Sequence, residues 1–155
     1  MAALSQNGKK ISRLISENIA VHESLYRHLH QNPELSFEEI KTAARLSAEL
    51  ENLGFDISRN IGGNGFVGIL RNGECPVIML GTDMDALPLE EKTRIPGASR
   101  VPGVMHACGH DMHMTVWLGT AAALAAMKNS WKGTLMMVAQ QAEEKSGGAN
   151  AMIED

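Results

Sequence analysis

Residues 76–88 read PVIMLGTDMDALP, an apolar run followed directly by two carboxylates. The run over residues 76–80 is short and free of charge, which predicts a buried central strand. Asp83 and Asp85 follow at positions i and i+2, so their side chains point to the same side while the backbone stays extended. Such a pair can hold a metal ion or orient a metal-binding histidine. A solvated loop that turns at Pro88 would show the same pattern.

Helical and strand patterns surround this run. Apolar residues recur at helical spacing over residues 11–29, and Ser36 with Glu39 forms a capping box that predicts a second helix ending at Gly54. Residues 72–73 are Asn-Gly, which predicts a tight hairpin. The other predicted elements are strands over 55–60, 66–70 and 135–140, helices over 112–128 and from 146 onward, and a long loop over 84–110. We therefore expect an α/β fold with a mixed sheet flanked by helices.

The bulk properties exclude several classes of protein. The 155 residues suit one domain or a large fragment of one. A net charge of −4 without a long charge run argues against a nucleic-acid-binding surface. No apolar run approaches the ~20 residues that span a bilayer, and the N-terminus lacks a signal-peptide pattern. Because Cys75 and Cys108 do not suggest a disulfide framework, we expect a cytoplasmic protein in which Cys75 is a small buried residue.

A dense cluster of potential metal ligands, HACGHDMH, covers residues 106–113. Cysteine thiolate and histidine imidazole are favoured ligands of zinc and similar metals. Cys108 and His110 are one residue apart in the predicted loop, so both side chains can reach one ion, and Gly109 relaxes the backbone between them. Asp111 can in addition act as the N-cap of the next helix.

A third polar cluster, QQAEE, covers residues 140–144. Adjacent carboxylates at the end of a buried strand are costly unless they are paired or bound to a metal. Consecutive side chains diverge, so one of Glu143 and Glu144 can bind a metal while the other accepts a proton from water. An exposed pair that opens a helix is the alternative. Of the remaining histidines, His22 is expected on a helix surface, whereas His28 and His30, near the end of the first helix, are expected to hydrogen-bond or to interact with the helix dipole.

Four motifs, in this order along the chain, resemble signatures of the hippurate hydrolase, aminoacylase and auxin-conjugate hydrolase family of metallopeptidases. They are RHLHQNPELSFEE at 27–39, DMDALP at 83–88, HACGHD at 106–111 and QQAEE at 140–144. The resemblance implies that residues 1–155 are the N-terminal part of a catalytic domain with a two-metal aminopeptidase-like fold. It also implies that the C-terminal part and a second, smaller domain, which helps close the site and often mediates dimerisation, are absent.

The resemblance implies a role for each site residue. Cys108 and His110 match the family's pair of metal ligands, and Glu144 matches a further ligand. Glu143 matches the general base, and Asp85 matches an acidic residue that supports the site from behind.

The resemblance also implies the chemistry. The full-length family binds two divalent ions (Zn, Mn, Co or Ni), and its further histidine ligands lie beyond the length of this chain. The expected activity is cleavage of the amide bond of an N-acyl or N-aroyl amino acid, a hippurate-like small molecule. No nucleic acid or membrane partner is expected, and the full-length form is expected to be a homodimer. Gln141 departs from the family, which usually has proline there to rigidify the approach to the Glu pair.

Two other functions fit the same residues. The chain could be a non-catalytic metal-binding or interaction domain derived from such an enzyme. Alternatively, Cys108 with its flanking histidines could be a redox-sensing thiol. Metal content and a hydrolysis assay separate the first of these from the enzyme, and thiol reactivity in the metal-loaded protein would favour the second.

Overall fold

A four-stranded mixed sheet and four α-helices make up residues 5–74 and 76–155, the part of the chain that the structure, a computed structural model, describes. The elements are α1 (Gln6–Gln31), α2 (Ile40–Asn52), β1 (Asp56–Ile61), β2 (Gly65–Asn72), β3 (Val77–Asp83), α3 (His110–Ala126), β4 (Gly133–Gln140) and α4 (Gly148–Glu154). The strand order is β1-β2-β4-β3, with β3 parallel to β4 and the other pairs antiparallel. The expected α/β fold is therefore confirmed. The predicted burial of Cys75 lies outside the described residues.

The core lies where α2 and α3 pack against the sheet and α1 packs against α3. Phe66 of β2 meets Trp117 of α3 edge to face, with ring centroids 6.2 Å apart. The indole N–H of Trp117 donates to the Leu80 carbonyl at 3.0 Å, which holds α3 against β3. This packing places the beginning of α3 beside the end of β3. Among the described helices, none is both long enough and apolar enough to cross a bilayer.

The hairpin predicted at Asn72 and Gly73 is wrong, because β4 lies between β2 and β3. The chain does turn here, since Gly73 has a φ of +110°. However, the Asn72 side-chain amide donates to the carbonyls of Lys128 and Trp131, both at 2.7 Å, and so joins the end of β2 to the turn before β4. The local turn signal cannot show which strand becomes the neighbour of β2.

The predicted capping box is also wrong, because a different carboxylate caps α2. Glu39 is the N-cap residue, and its side chain makes no capping bond. Glu34 instead accepts hydrogen bonds from the backbone N–H groups of Lys41 at 3.1 Å and Thr42 at 2.8 Å. These two bonds satisfy part of the first helical turn, whose N–H groups have no partner within the helix. The side chains of Ser36 and Glu39 are therefore free for other contacts.

Strand β3 is an edge strand of the described sheet and not the buried central strand predicted over residues 76–80. Its side chains Val77, Ile78 and Met79 are 61%, 56% and 66% exposed. The apolar run correctly predicts a strand. The predicted burial on both faces is not found, because these side chains are exposed and β3 has a neighbouring strand on one side only among the described residues.

We expect this edge to promote self-association, because unpaired backbone groups beside apolar side chains are a template for another strand. Ile78→Lys should lower the concentration-dependent association measured by sedimentation velocity, with an unchanged circular dichroism spectrum. Val116→Lys, a control at an α3 residue that is 59% exposed, should associate like the wild type. Equal association of Ile78→Lys and the wild type would contradict the role of this edge.

Candidate metal centre

Three potential metal ligands from two segments meet beside the ends of β3 and β4. Cys108, His110 and Glu144 each offer a ligand atom, and these atoms all lie within 4.8 Å of one another. His110 is the first residue of α3, and Gly109 before it has a φ of +86°, a conformation that glycine adopts without strain. The structure thus brings together the three residues that the sequence predicts as ligands. Their role as ligands remains a prediction.

Asp85 lies behind this cluster and contacts two of its three members. It is completely buried, and its Oδ2 accepts hydrogen bonds from Ser36 Oγ at 2.7 Å and from the Glu144 backbone N–H at 2.9 Å. The Asp85 backbone oxygen is 2.9 Å from His110 Nδ1, and its Oδ1 is 3.5 Å from the same nitrogen. Because Nδ1 is held in this way, Nε2 is the His110 nitrogen that faces a metal.

Asp85 and His110 form a charged pair. Burial opposes the ionisation of Asp85, but the nearby His110 ring and hydrogen bonds from Ser36 and the Glu144 backbone lower its pKa to about 2. The Asp85 carboxylate and backbone oxygen in turn raise the pKa of His110 to about 9, against the opposing effect of burial. A cation that binds His110 must therefore displace a proton, and its affinity should rise as the pH approaches 9.

The two adjacent glutamates have different surroundings. The Glu143 side chain is 46% exposed, and its Oε2 is 3.9 Å from His110 Nε2. Glu144 has a buried oxygen, Oε1, that has no hydrogen-bond partner among the described residues. A buried carboxylate oxygen without a partner is costly unless a cation compensates it. This difference agrees with a ligand at Glu144 and a water-facing base at Glu143.

The donor set fits one divalent ion of borderline softness. Thiolate, imidazole and carboxylate together are typical of zinc and of neighbouring transition metals. Within residues 5–74 and 76–155, no other group of three histidine, cysteine, aspartate or glutamate side chains comes this close together. Residues in the described chain can therefore hold one ion of the two that the family resemblance implies.

Three other polar residues near the site, Asp83, His106 and His113, are not members of the group formed by Cys108, His110 and Glu144. Asp83 Oδ2 is 3.9 Å from His113 Nδ1, and both side chains are partly exposed. His106 is buried, and neither of its ring nitrogens has a partner in the described parts of the chain. Burial lowers the pKa of His106 to about 4, so this ring is neutral at pH 7.

His30 has the structural role that the sequence predicts, since it forms a side-chain hydrogen bond. Its Nδ1 lies 2.6 Å from Asp111 Oδ2, and both residues are buried. Burial lowers the pKa of His30, but the combined effects of Asp111 and Glu91, both close to the ring, outweigh burial and raise it. Asp111 is not the N-cap, which is Gly109. The His30–Asp111 pair instead joins α1 to the first turn of α3, which carries His110.

The surroundings of Cys108 argue against the redox-sensing alternative. The residue is exposed, and its hydrogen bond to Glu144, slight desolvation and the negative charges of nearby carboxylates raise the pKa of the thiol. Reactive thiols have a lowered pKa, because the thiolate is the nucleophile. A nearby cation, and not the protein alone, would stabilise the Cys108 thiolate.

Sequence reasoning missed the structural function of Ser36 and Glu39. Ser36 donates to Asp85, as described above, and the completely buried Glu39 accepts a hydrogen bond from the Ala142 backbone N–H at 2.8 Å. Burial raises the pKa of Glu39 despite this bond. Both residues belong to the first family-like motif, and that shared membership is the signal that could have connected them with the site.

Comparisons with known proteins show what this chain is similar to. The model of peptidase family M20/M25/M40 matches residues 79–155. The hippurate hydrolase of Campylobacter jejuni is 45% identical over 134 residues, which are 86% of this chain and 34% of that protein. The N-acetyl-L-cysteine deacetylase of Bacillus subtilis is 46% identical over 130 residues, 83% of this chain and 31% of that protein. A Bacillus subtilis protein described as a dinuclear metal binding peptidase from the M20 family superposes with a TM-score of 0.79 and 36% identity, covering 94% of this chain and 39% of that one.

The fold and the ligand cluster thus define an α/β protein with a candidate metal centre at the ends of β3 and β4. The chain is similar to members of peptidase family M20/M25/M40, through the family model that matches residues 79–155, the relatives and the solved structure. The chain spans 29 to 39% of the length of the curated relatives it matches.

Proposed function

We propose that this chain is the N-terminal part, residues 1–155, of the catalytic domain of an amidohydrolase that cleaves N-acyl or N-aroyl amino acids. The observation that carries the proposal is the cluster of Cys108, His110 and Glu144 with Glu143 beside it. The substrate class rests on the hippurate hydrolase and N-acetyl-L-cysteine deacetylase among its relatives, whose substrates are acylated amino acids by name.

The residues divide the chemistry among them. Cys108, His110 and Glu144 would hold one divalent ion, Zn, Mn, Co or Ni. Such an ion lowers the pKa of a water molecule and polarises a carbonyl group. Glu143 accepts the proton of the attacking water and delivers it to the leaving amine. Asp85 keeps His110 and the Glu144 backbone in place during these steps.

The proposal extends to the rest of the protein. In a chain of the relatives' length, we expect the site to bind a second ion and a smaller domain to close over it. We also expect that longer form to be a homodimer. The partner of the site is a small molecule, with no nucleic acid and no membrane, and the compartment is the cytoplasm. The net charge of −4 supports the exclusion of nucleic acid.

The substrate class can be tested with a form of the protein that continues beyond Asp155 to the relatives' length. We expect hippurate and N-acetyl amino acids to be hydrolysed, unacylated dipeptides to be hydrolysed much more slowly, and a chelator to abolish all turnover. Release of the free amino acid is the measurement. Faster cleavage of unacylated dipeptides, or turnover that survives chelation, would contradict the proposal. Metal uptake without any turnover would favour the non-catalytic alternative.

A further inference from the structure

Gln141 is a completely buried polar residue that immediately follows β4. Both ends of its carboxamide bond to the turn that joins β1 and β2. The backbone N–H of Asn64 donates to Gln141 Oε1, and Gln141 Nε2 donates to the carbonyl oxygen of Gly62. A buried amide with both ends satisfied acts as a fixed connection between two backbone segments.

The turn that receives this carboxamide is anchored by other contacts as well. The Gly62 N–H donates to Asp155 Oδ2 at 2.8 Å, and Asn64 Nδ2 donates to the Phe37 carbonyl at 2.9 Å. Gly63 has a φ of +123°, and a Cβ at this residue would lie 2.8 Å from Gln141 Nε2. The turn therefore leaves space for the carboxamide only because residue 63 is glycine, and its other hydrogen bonds hold it in place.

The segment after Gln141 is held on its other side by Glu39. Ala142 has a φ of +51°, which a side-chain-bearing residue keeps only where its surroundings impose it. The Ala142 N–H donates to Glu39 Oε1 at 2.8 Å. Glu143 and Glu144 come next, so the bonds at Gln141 and Ala142 determine the direction in which the chain presents both carboxylates.

We propose that Gln141 is a positioning residue. By joining the end of β4 to the β1–β2 turn, it directs the side chains of Glu143 and Glu144 toward Cys108 and His110. This inference rests on the proposed function, because it assigns Gln141 to the same site. Gln141 itself touches neither the substrate nor the cation. Its carboxamide fixes the direction of the chain after β4, a role that a rigid backbone at residue 141 could otherwise have.

The test is a titration of the 155-residue chain with Cd²⁺, followed by ultraviolet thiolate charge-transfer absorbance, with Cys108→Ala as the background. Gln141→Met keeps the side-chain volume and removes both hydrogen bonds. It should weaken Cd²⁺ binding roughly 10- to 100-fold, the range found when residues behind metal ligands are changed. Asn72→Leu is the matched control, since it removes an amide clamp at the opposite end of β2, and it should bind like the wild type. Equal affinities for Gln141→Met and the wild type, or equal weakening by both variants, would overturn the inference.

A second measurement uses only the wild-type protein, so that folding of a variant cannot decide the outcome. Because coupling between sites is reciprocal, Cd²⁺ binding should slow hydrogen exchange at the Asn64 amide, which bonds to Gln141. The Thr134 amide, which bonds to Pro76 at the other end of the sheet, should exchange as before. Unchanged exchange at Asn64 in the Cd²⁺-bound protein would overturn the positioning role alone. No Cd²⁺ binding by the wild type would overturn the proposed metal site and this inference with it.

Discussion

Glu143→Gln should keep its metal and lower the rate of amide hydrolysis by roughly a hundred- to ten-thousand-fold, the usual effect of removing a general base. Glutamine has nearly the same shape but cannot accept the proton. The Glu143 side chain is 46% exposed and lies 3.9 Å from His110 Nε2, so the substitution should disturb the fold little. The measurement is kcat for hippurate together with metal content, in an active form that extends beyond Asp155.

Glu144→Ala provides the contrast within the same segment. This variant should lose metal as well as activity, because it removes one of the three clustered ligand atoms. Glu154→Gln is the control for a carboxylate outside the site and should behave like the wild type. Near-normal turnover by Glu143→Gln would show that another group is the base, and full metal content in Glu144→Ala would remove Glu144 from the ligand set.

The second large effect concerns the 155-residue chain by itself, which should hydrolyse hippurate-like substrates barely above the uncatalysed rate. Its described residues bring together candidate ligands for one ion, whereas a two-metal site activates the water and polarises the carbonyl together. The relatives are also much longer than this chain, which spans 34% of the Campylobacter hippurate hydrolase. The assay is release of glycine from hippurate with Zn²⁺, Mn²⁺, Co²⁺ and Ni²⁺ in turn.

A form extended to the relatives' length is the positive control for this experiment and should be active with at least one of these ions. Strong metal-dependent turnover by the 155-residue chain would contradict the expectation. In that case the site would be complete with side chains that lie outside the present cluster. Asp83, His106 and His113 would be the first to replace, and buried His106, whose ring nitrogens have no described partner, would be the foremost of them.

The ligand cluster could be predicted from the sequence because much of it is local. Cys108 and His110 are one residue apart, so their proximity follows from the backbone alone. Glu144 is distant in sequence, and it could be assigned only because the motif that contains it follows the others in the family order. The α/β fold was accessible for a similar reason, since each strand and helix has its own pattern of apolar residues.

The contacts behind the site could not be predicted, because tertiary partners decide them. Ser36 and Glu39 match a helix cap in sequence, yet one bonds to Asp85 and the other to Ala142. The cap of α2 comes from Glu34, whose spacing matches no local capping rule. Similarly, the Asn-Gly turn after β2 predicts a hairpin, but the insertion of β4 beside β2 is a long-range pairing that no turn signal contains.

The metal content of the folded 155-residue chain tests the central claim most directly. Elemental analysis after equilibration with Zn²⁺ should find at most about one equivalent in the wild type, a similar amount in His113→Ala and none in the double variant Cys108→Ala with His110→Ala. A folded wild type that takes up no metal, or a double variant that takes up as much as the wild type, would contradict the assignment of Cys108, His110 and Glu144 as a metal centre.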